Sequence, residues 1–386
     1  MLMLIGVVGA PNKGKSTFFA AATLVDVQIA NYPFTTITPN RGVTYVRAPC
    51  PHAELGLPSC NPKNSRCSGG VRLVPVGMID VPGLVPDAHA GKGLGNKFLD
   101  SIREADVLIQ VVDATGKTDL QGNPCESASP AEEVAFLQEE IALWLSDIMA
   151  RGAKGKGAAG LAGSLTGLKI TEAMLHRAAL ECGLDVAAGL PDAEGAKRLA
   201  RKLVEMRMPI VVACNKMDIA GARDGYERVK RESGRPSMPC SAAVELALRK
   251  AEHAGMVEYR PGDLDFSVKG APNEKQASAL SAMKRVLAAN SGSGVQQIID
   301  YIVYRHLNCI IVYPVEDEHK YSNNKGEVLP DAYLVPKGTT ALQLAAMVHT
   351  DLAHKFIGAV DCRRHLRVGA EHALENGDII KIIAGR

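Results

Sequence analysis

Short, uninterrupted apolar runs punctuate this chain, and each one ends on a polar or glycine-rich signature. Met3 to Val8 runs into Gly9, and similar runs lie at Val76 to Ile79, Val107 to Val112 and Ile210 to Cys214. Continuous rather than alternating apolarity is the pattern of strands covered on both faces. Stretches of helical spacing separate these runs, which predicts an α/β fold with a doubly wound, mainly parallel sheet. Ligands would then sit at the carboxyl edge, where the polar signatures fall.

Between Asp113 and Pro209 the chain is much longer than one crossover helix requires. Ser129-Pro130 followed by Glu132 and Glu133 predicts a helix start, and Val134, Leu137, Ile141, Leu145 and Ile148 then recur at helical spacing. The Gly/Ala-rich stretch Gly152 to Gly167 reads as a loop. Helical periodicity returns near Ile170 to Leu180 and at Ala196 to Met206. A polar, partly helical stretch from Val244 to Asn290 precedes a last helix over Val295 to His306. From Cys309 onward the character changes: a strand over Ile310 to Pro314, a helix over Thr340 to Thr350 and a strand over Asp378 to Ile383. Together these predict a nucleotide-type domain over 1–120 and 208–308, a helical insertion over 121–207, and a small α+β module over 309–386.

Composition narrows the possibilities. Hydrophobic residues at 46% leave ample material for a core, and aromatics at 4% argue against stacking platforms for single-stranded nucleic acid. A net charge of +2 gives no general attraction to polyanions, so any RNA contact must be local and DNA is not an expected partner. No stretch approaches the roughly 18 apolar residues of a membrane span. The apolar start runs straight into a glycine-rich loop and is too short for a signal peptide, so a cytoplasmic protein is expected. Nine cysteines then read as free thiols or metal ligands rather than disulfides.

The chemistry lies in ordered motifs. Gly9-Ala10-Pro11-Asn12-Lys13-Gly14-Lys15-Ser16-Thr17 follows a strand and opens a helix, the context a phosphate-binding P-loop requires. Its amides would line an anion nest, Lys15 would reach the β- and γ-phosphates, and Ser16 would ligate Mg²⁺. Asp80-Val81-Pro82-Gly83 ends the next strand, so Asp80 can hold the metal through water and the Gly83 amide can meet the γ-phosphate. Asn215-Lys216-Met217-Asp218 follows the strand at Ile210 to Cys214. A carboxylate there accepts two donors that guanine offers and adenine does not. Ser241-Ala242-Ala243 would add backbone contacts to the guanine oxygen.

In this order, the motifs resemble those of the translation-factor class of GTPases, and in particular the YchF branch of the Obg family. Asn31 to Asn40 is similar to that family's first switch, and Asp80 to Val85 with Gly93 to Leu99 to its second. The terminal module resembles a TGS domain, a ubiquitin-like β-grasp fold. The resemblance implies that Thr36 joins Mg²⁺ and the γ-phosphate in the triphosphate state. Bacterial members replace the guanine-reading Asp by Glu and tend to use ATP, whereas Asn215-Lys216-x-Asp218 is intact here, which favours GTP.

Many GTPases carry a water-orienting Gln directly after Asp-x-x-Gly, but this chain has Leu84. Slow intrinsic hydrolysis is expected, with charge stabilisation supplied elsewhere. In related GTPases an Asn at the Asn12 position helps bind K⁺; as a bare residue it is equally a loop former. His89 could position water, although a solvated histidine is the plainer reading. Cys50, His52, Cys60 and Cys67 could close a zinc site, but no Cys-x2-Cys pair is present, so free thiols are favoured over zinc. Lys154, Lys156, Lys169, Lys197, Arg198, Arg201 and Lys202 make the insertion locally basic. They form either a solvated helical face or, as the family's ribosome association implies, an RNA contact, which Arg363, Arg364, His365 and Arg367 of the TGS module either extend or, as an exposed turn, do not join. The chain therefore reads as a GTP-hydrolysing switch near the ribosome. The alternative is a GTP- or ATP-binding regulatory module whose hydrolysis is incidental.

Overall fold

The computed structural model describes residues 3–23, 40–83, 101–154, 157–187 and 189–385. The chain divides into two compact units. The first takes β1 (Leu4–Val8), α1 (Lys15–Thr23) and residues 77–298. The second joins residues 43–76 to residues 299–386.

Each apolar run of the first unit forms a strand. β2 (Arg41–Pro49), β3 (Arg66–Ser68) and the start of β4 (Val71–Asp80) fall mainly in the second unit, where β3 pairs with β4; with β5 (Val107–Asp113), β6 (Ile210–Asn215) and β7 (Ser237–Pro239) the strands of the first unit run in the order β4-β1-β5-β6-β7. β1 runs parallel to β4 and to β5, β5 to β6, and β6 to β7. This is the doubly wound, mainly parallel arrangement that two-faced apolarity predicts, and every residue of β1, β5 and β6 is buried.

The long connection before β6 is helical and shares its core with the sheet. After the short α2 (Pro51–Glu54) of the second unit comes α3 (Pro130–Ala153), capped by Ser129, whose side chain accepts from Glu132 N. Leu137, Ile141, Leu145 and Met149 of α3 join Leu4, Val8, Ile79 and Leu108 of the strands in one cluster. The expected loop over Gly152 to Gly167 is corrected here: Gly157–Thr166 is helix α4. Its Leu161 and Leu165 are buried in the same cluster, and small residues let α4 lie close to α3. α5 (Glu172–Glu181) and α6 (Ala193–Arg207) follow, close to the predicted segments. The unit ends through α7 (Ala222–Glu232), α8 (Ala242–His253), the two-strand ribbon of β8 (Val257–Glu258) and β9 (Ser267–Val268), and α9 (Glu274–Asn290).

The helix expected at Val295 to His306 is α10 (Val295–Tyr301) continued by a π-type turn over Ile302–His306. In the second unit β10 (Cys309–Val315), β11 (Tyr333–Pro336), β12 (Phe356–Asp361), β13 (Leu366–Val368) and β14 (Ile379–Ala384) form a mixed sheet ordered β11-β10-β14-β12-β13. The helix α11 (Ala341–Val348), capped by Thr340 and followed by α12 (Thr350–His354), buries Ala341 and Leu344 against Ile310, Val312, Val335 and Ile380. The helix α11, extended by the single turn of α12, over a mixed sheet is the expected β-grasp. Among the described residues no helix is long and apolar enough to cross a membrane.

Candidate functional site

The site forms where β1, β4 and β6 end. After Val8 the backbone takes left-handed conformations at Gly9 (φ 144°), Asn12 (φ 60°) and Gly14 (φ 92°) before α1 begins. Such turns aim successive N–H groups into one concavity at a helix N-terminus. Gly14 is required on two counts: its φ, and the Asn215 Nδ2 atom that a Cβ would meet at 2.3 Å.

Lys15 rises from the start of α1 and its ammonium donates to Ala10 O at 3.1 Å. Burial pushes its pKa below the usual lysine range, against the opposing pull of Asp80 and Glu133. Ser16 Oγ donates to Asp80 Oδ2 at 3.2 Å, while Asp80 Oδ1 is buried with no hydrogen-bond partner. Burial raises the Asp80 pKa, and the bond from Ser16 and the charge of Lys15 oppose it. A hydroxyl beside a carboxylate with one unsatisfied buried oxygen is the donor set a hydrated Mg²⁺ takes. Gly83 lies against this group: a Cβ there would sit 3.2 Å from Lys15 Nζ. Thr17 is half-buried in the first turn of α1.

Two P-loop side chains are used within the protein. Lys13 is 1% exposed, its ammonium paired with Glu133 at 2.9 Å and donating to Thr118 O at 2.9 Å. It therefore joins the loop through its backbone, and its charge is turned away. Burial lifts Glu133 to about 7 even with Lys13 beside it. Asn12 Nδ2 donates to Gly122 O at 2.9 Å, a bond that braces the loop.

The Asn215–Asp218 motif is tied to the same loop. At the end of β6 Asn215 donates through Nδ2 to Lys13 O at 2.9 Å and accepts through Oδ1 from Ala242 N at 3.0 Å. One amide thus links the P-loop to the start of α8. Lys216 (φ 69°) reaches Asp113 Oδ2 at 2.7 Å. Burial raises the Asp113 pKa, but bonds from Lys216, Thr115 and Thr118 outweigh it and hold the carboxyl below its usual range. Asp218 accepts from the Ser241 hydroxyl, and Met217 N donates to Cys240 O at 3.1 Å. Ser241 is buried, Ala242 starts α8 and Ala243 is exposed. Beneath them Glu245 accepts from Ser293 Oγ at 2.5 Å and Tyr259 OH at 2.6 Å, while Ser293 O receives Ser241 N at 2.7 Å.

Sequence reasoning missed Asp113 and Glu133 as braces of the site. Asp113 was signalled by its place at the carboxyl end of a buried strand; Glu133 looked like any acid in a first helical turn. Thr36 and His89 lie outside the described residues. In the second unit Cys50, His52, Cys60 and Cys67 come together, with all four candidate ligand atoms within 4.8 Å of one another. Three of the basic residues are paired within the protein, Lys169 with Asp106 at 3.0 Å, Arg201 with Glu139 at 2.9 Å and Lys202 with Glu181 at 2.7 Å, while Lys156 lies outside the described residues. Arg363 pairs with Glu54 at 2.8 Å, and Arg364 with Asp361 at 3.0 Å.

Comparison with known proteins accords with this geometry. Residues 4–144 match the family model described as 50S ribosome-binding GTPase, residues 213–317 that described as Obg-like GTPase YGR210-like, G4 motif-containing domain, and residues 321–384 the TGS domain. A GTP-binding protein of Methanocaldococcus jannaschii is 44% identical over 393 residues, covering 99% of both chains. The chain belongs to the Obg-like, YchF-type GTPase family. Within it, a GTP-binding protein of Schizosaccharomyces pombe is 32% identical over 378 residues, 92% of each chain. The crystal structure of a GTP-binding protein from Pyrococcus horikoshii is similar, with a TM-score of 0.78 and 35% identity over 99% of this chain and 100% of that one. The YchF GTPase of Schizosaccharomyces pombe shares the fold, at a TM-score of 0.56 and 19% identity over 99% of this chain and 97% of that one. A shorter match, 40% identity over 140 residues and 36% of each chain, is to a protein of Haemophilus ducreyi named ribosome-binding ATPase YchF.

Proposed function

We propose that this protein binds GTP with Mg²⁺, hydrolyses it to GDP and phosphate, and works in the cytoplasm as a nucleotide-dependent switch that engages the ribosome. The observation that carries the reading is the Asn215 amide, which joins the phosphate loop to the Asp218–Ser241 pair and so fixes phosphate site and base reader as one frame. Asp218 would accept two guanine donors, and the Ser241 to Ala243 backbone would face the guanine oxygen. Amides from Gly9 to Ser16 would wrap the phosphates, and Lys15 would neutralise them. Ser16, Asp80 through water and Thr36 would hold Mg²⁺, which supplies charge neutralisation on the phosphates.

Leu84 cannot orient water, so hydrolysis is slow unless a cation compensates. Asn12 Oδ1 is the atom that would take K⁺, with Nδ2 anchored on Gly122. The relatives named ATPases make adenine use the competing outcome. Competition of GTP and ATP for a fluorescent GDP, combined with steady-state turnover, tests the reading. GTP is expected to win clearly, and Asp218→Asn to weaken it by about 10–100-fold, the loss of charge-assisted hydrogen bonds. Equal affinity for the two nucleotides, or GTP binding unmoved by the substitution, would sink it.

A further inference from the structure

Cys50, His52, Cys60 and Cys67 are scattered over 18 positions without a Cys-x2-Cys pair, and the fold is what assembles them. Cys50 follows β2 and stands at the N-cap of α2, which carries His52 in its single turn. The chain then loops through Cys60 and returns as the β3–β4 hairpin bearing Cys67, with Cys50 N donating to Gly70 O at 2.8 Å to hold the hairpin turn in place. As a result Cys50 Sγ lies 3.7 Å from Cys60 Sγ, and Cys67 Sγ lies 3.7 Å from His52 Nδ1.

Those two separations match edges of a coordination tetrahedron, and all four ligand atoms lie within 4.8 Å of one another. Bonds of about 2.3 Å to sulfur and about 2.0–2.1 Å to nitrogen imply sulfur–sulfur edges of about 3.8 Å and sulfur–nitrogen edges of about 3.6 Å. A disulfide needs about 2.05 Å, far below the 3.7 Å found. We propose that these four side chains form a structural zinc site, with three thiolates and one imidazole closing the coordination sphere. Zinc enters as Zn²⁺ and three thiol protons leave to solvent. Neither sulfur nor metal changes oxidation state.

Arg72 is an independent observation that points the same way. It is fully buried and sits opposite Cys67 in the hairpin register. The hydrogen bonds its guanidinium makes go to neutral groups, Ser65 Oγ at 2.9 Å and Leu329 O at 2.8 Å, and it lies 5.4 Å from the centre of the Tyr313 ring. Zn²⁺ with three thiolates and a neutral imidazole carries a net charge of −1, which would add to the nearby Asp331 carboxylate in balancing this buried guanidinium.

The site has work to do. The loop carrying Cys60 has little regular structure, yet its backbone lines up on the segment before β11. Asn61 N donates to Val328 O at 2.8 Å, Lys63 N to Pro330 O at 2.7 Å, and Ala332 N to Asn64 Oδ1 at 2.9 Å. Zinc would fix the register of this loop within its own unit, and so order the entry to the TGS sheet.

The test is elemental analysis of the full-length protein purified without chelator, followed by Co²⁺ replacement. About one zinc per chain is expected, with tetrahedral thiolate–cobalt absorption after exchange. Cys60→Ser and Cys67→Ser should each cut metal content at least about tenfold, and chelation should speed tryptic cleavage at Lys63 and Arg66 by about tenfold or more. Zinc below about a tenth of an equivalent, both as purified and after loading the reduced wild type, with no cobalt band, overturns the proposal. So does a Cys50–Cys60 disulfide trapped by alkylation, or iron in place of zinc. Because the wild-type measurements decide alone, a variant that fails to fold leaves the result intact.

Discussion

At the scale of single residues, Glu133 shows how a brace of the site differs from its chemistry. Its carboxylate keeps Lys13 inside the fold, and burial lifts its pKa from 4.5 to about 7. An acid whose folded pKa lies above its unfolded one favours folding while protonated. Its contribution is therefore full below pH 4.5, where the unfolded chain also holds the proton, and is lost as pH rises to about 7. The loss amounts to about 3 kcal/mol. In Glu133→Gln that slope should vanish, so the unfolding free energies of the two proteins should diverge across this window and run parallel outside it. Profiles that stay parallel throughout would mean the folded pKa is not raised. Asn215 and Asp218 could be singled out in the sequence because their motif has a fixed spacing after a strand. Glu133 was not, because its role depends on Lys13, far away in sequence and brought near only by folding.

At the scale of elements, helix α4 is the instructive case. Gly and Ala in quantity read as a breaker, since glycine costs about 1 kcal/mol in a helix. The same small side chains permit close approach: a Cβ on Gly152 would fall 2.3 Å from Ser164 Cβ. Packing of Leu161 and Leu165 against α3 then repays the poor propensity. Leu161→Ala should cost about 2–5 kcal/mol in chemical denaturation, the range for a fully buried leucine. A cost below about 1 kcal/mol would show that α4 does not dock. The strands gave no such difficulty, because a two-faced apolar run has one stable use in a parallel sheet.

At the scale of the whole molecule, the switch reading makes a demand that can be checked by pull-down of ribosomal particles. Recovery should be greater with a non-hydrolysable GTP analogue than with GDP, because order in a switch depends on the γ-phosphate. Equal recovery in both states would remove the switch from the account. Arg201 and Lys202 already pair with Glu139 and Glu181, so Arg201→Ala and Lys202→Ala should change that recovery by less than about twofold. Taken by itself, the sequence determined the sheet, the phosphate loop, the place of the Asn215–Asp218 motif and the terminal module, since each rests on local spacing and periodicity. Only the tertiary structure decided where the charges of Lys13 and the insertion go, and that Cys50, His52, Cys60 and Cys67 meet. Those outcomes depend on which distant side chains share a buried volume, a quantity no local pattern encodes.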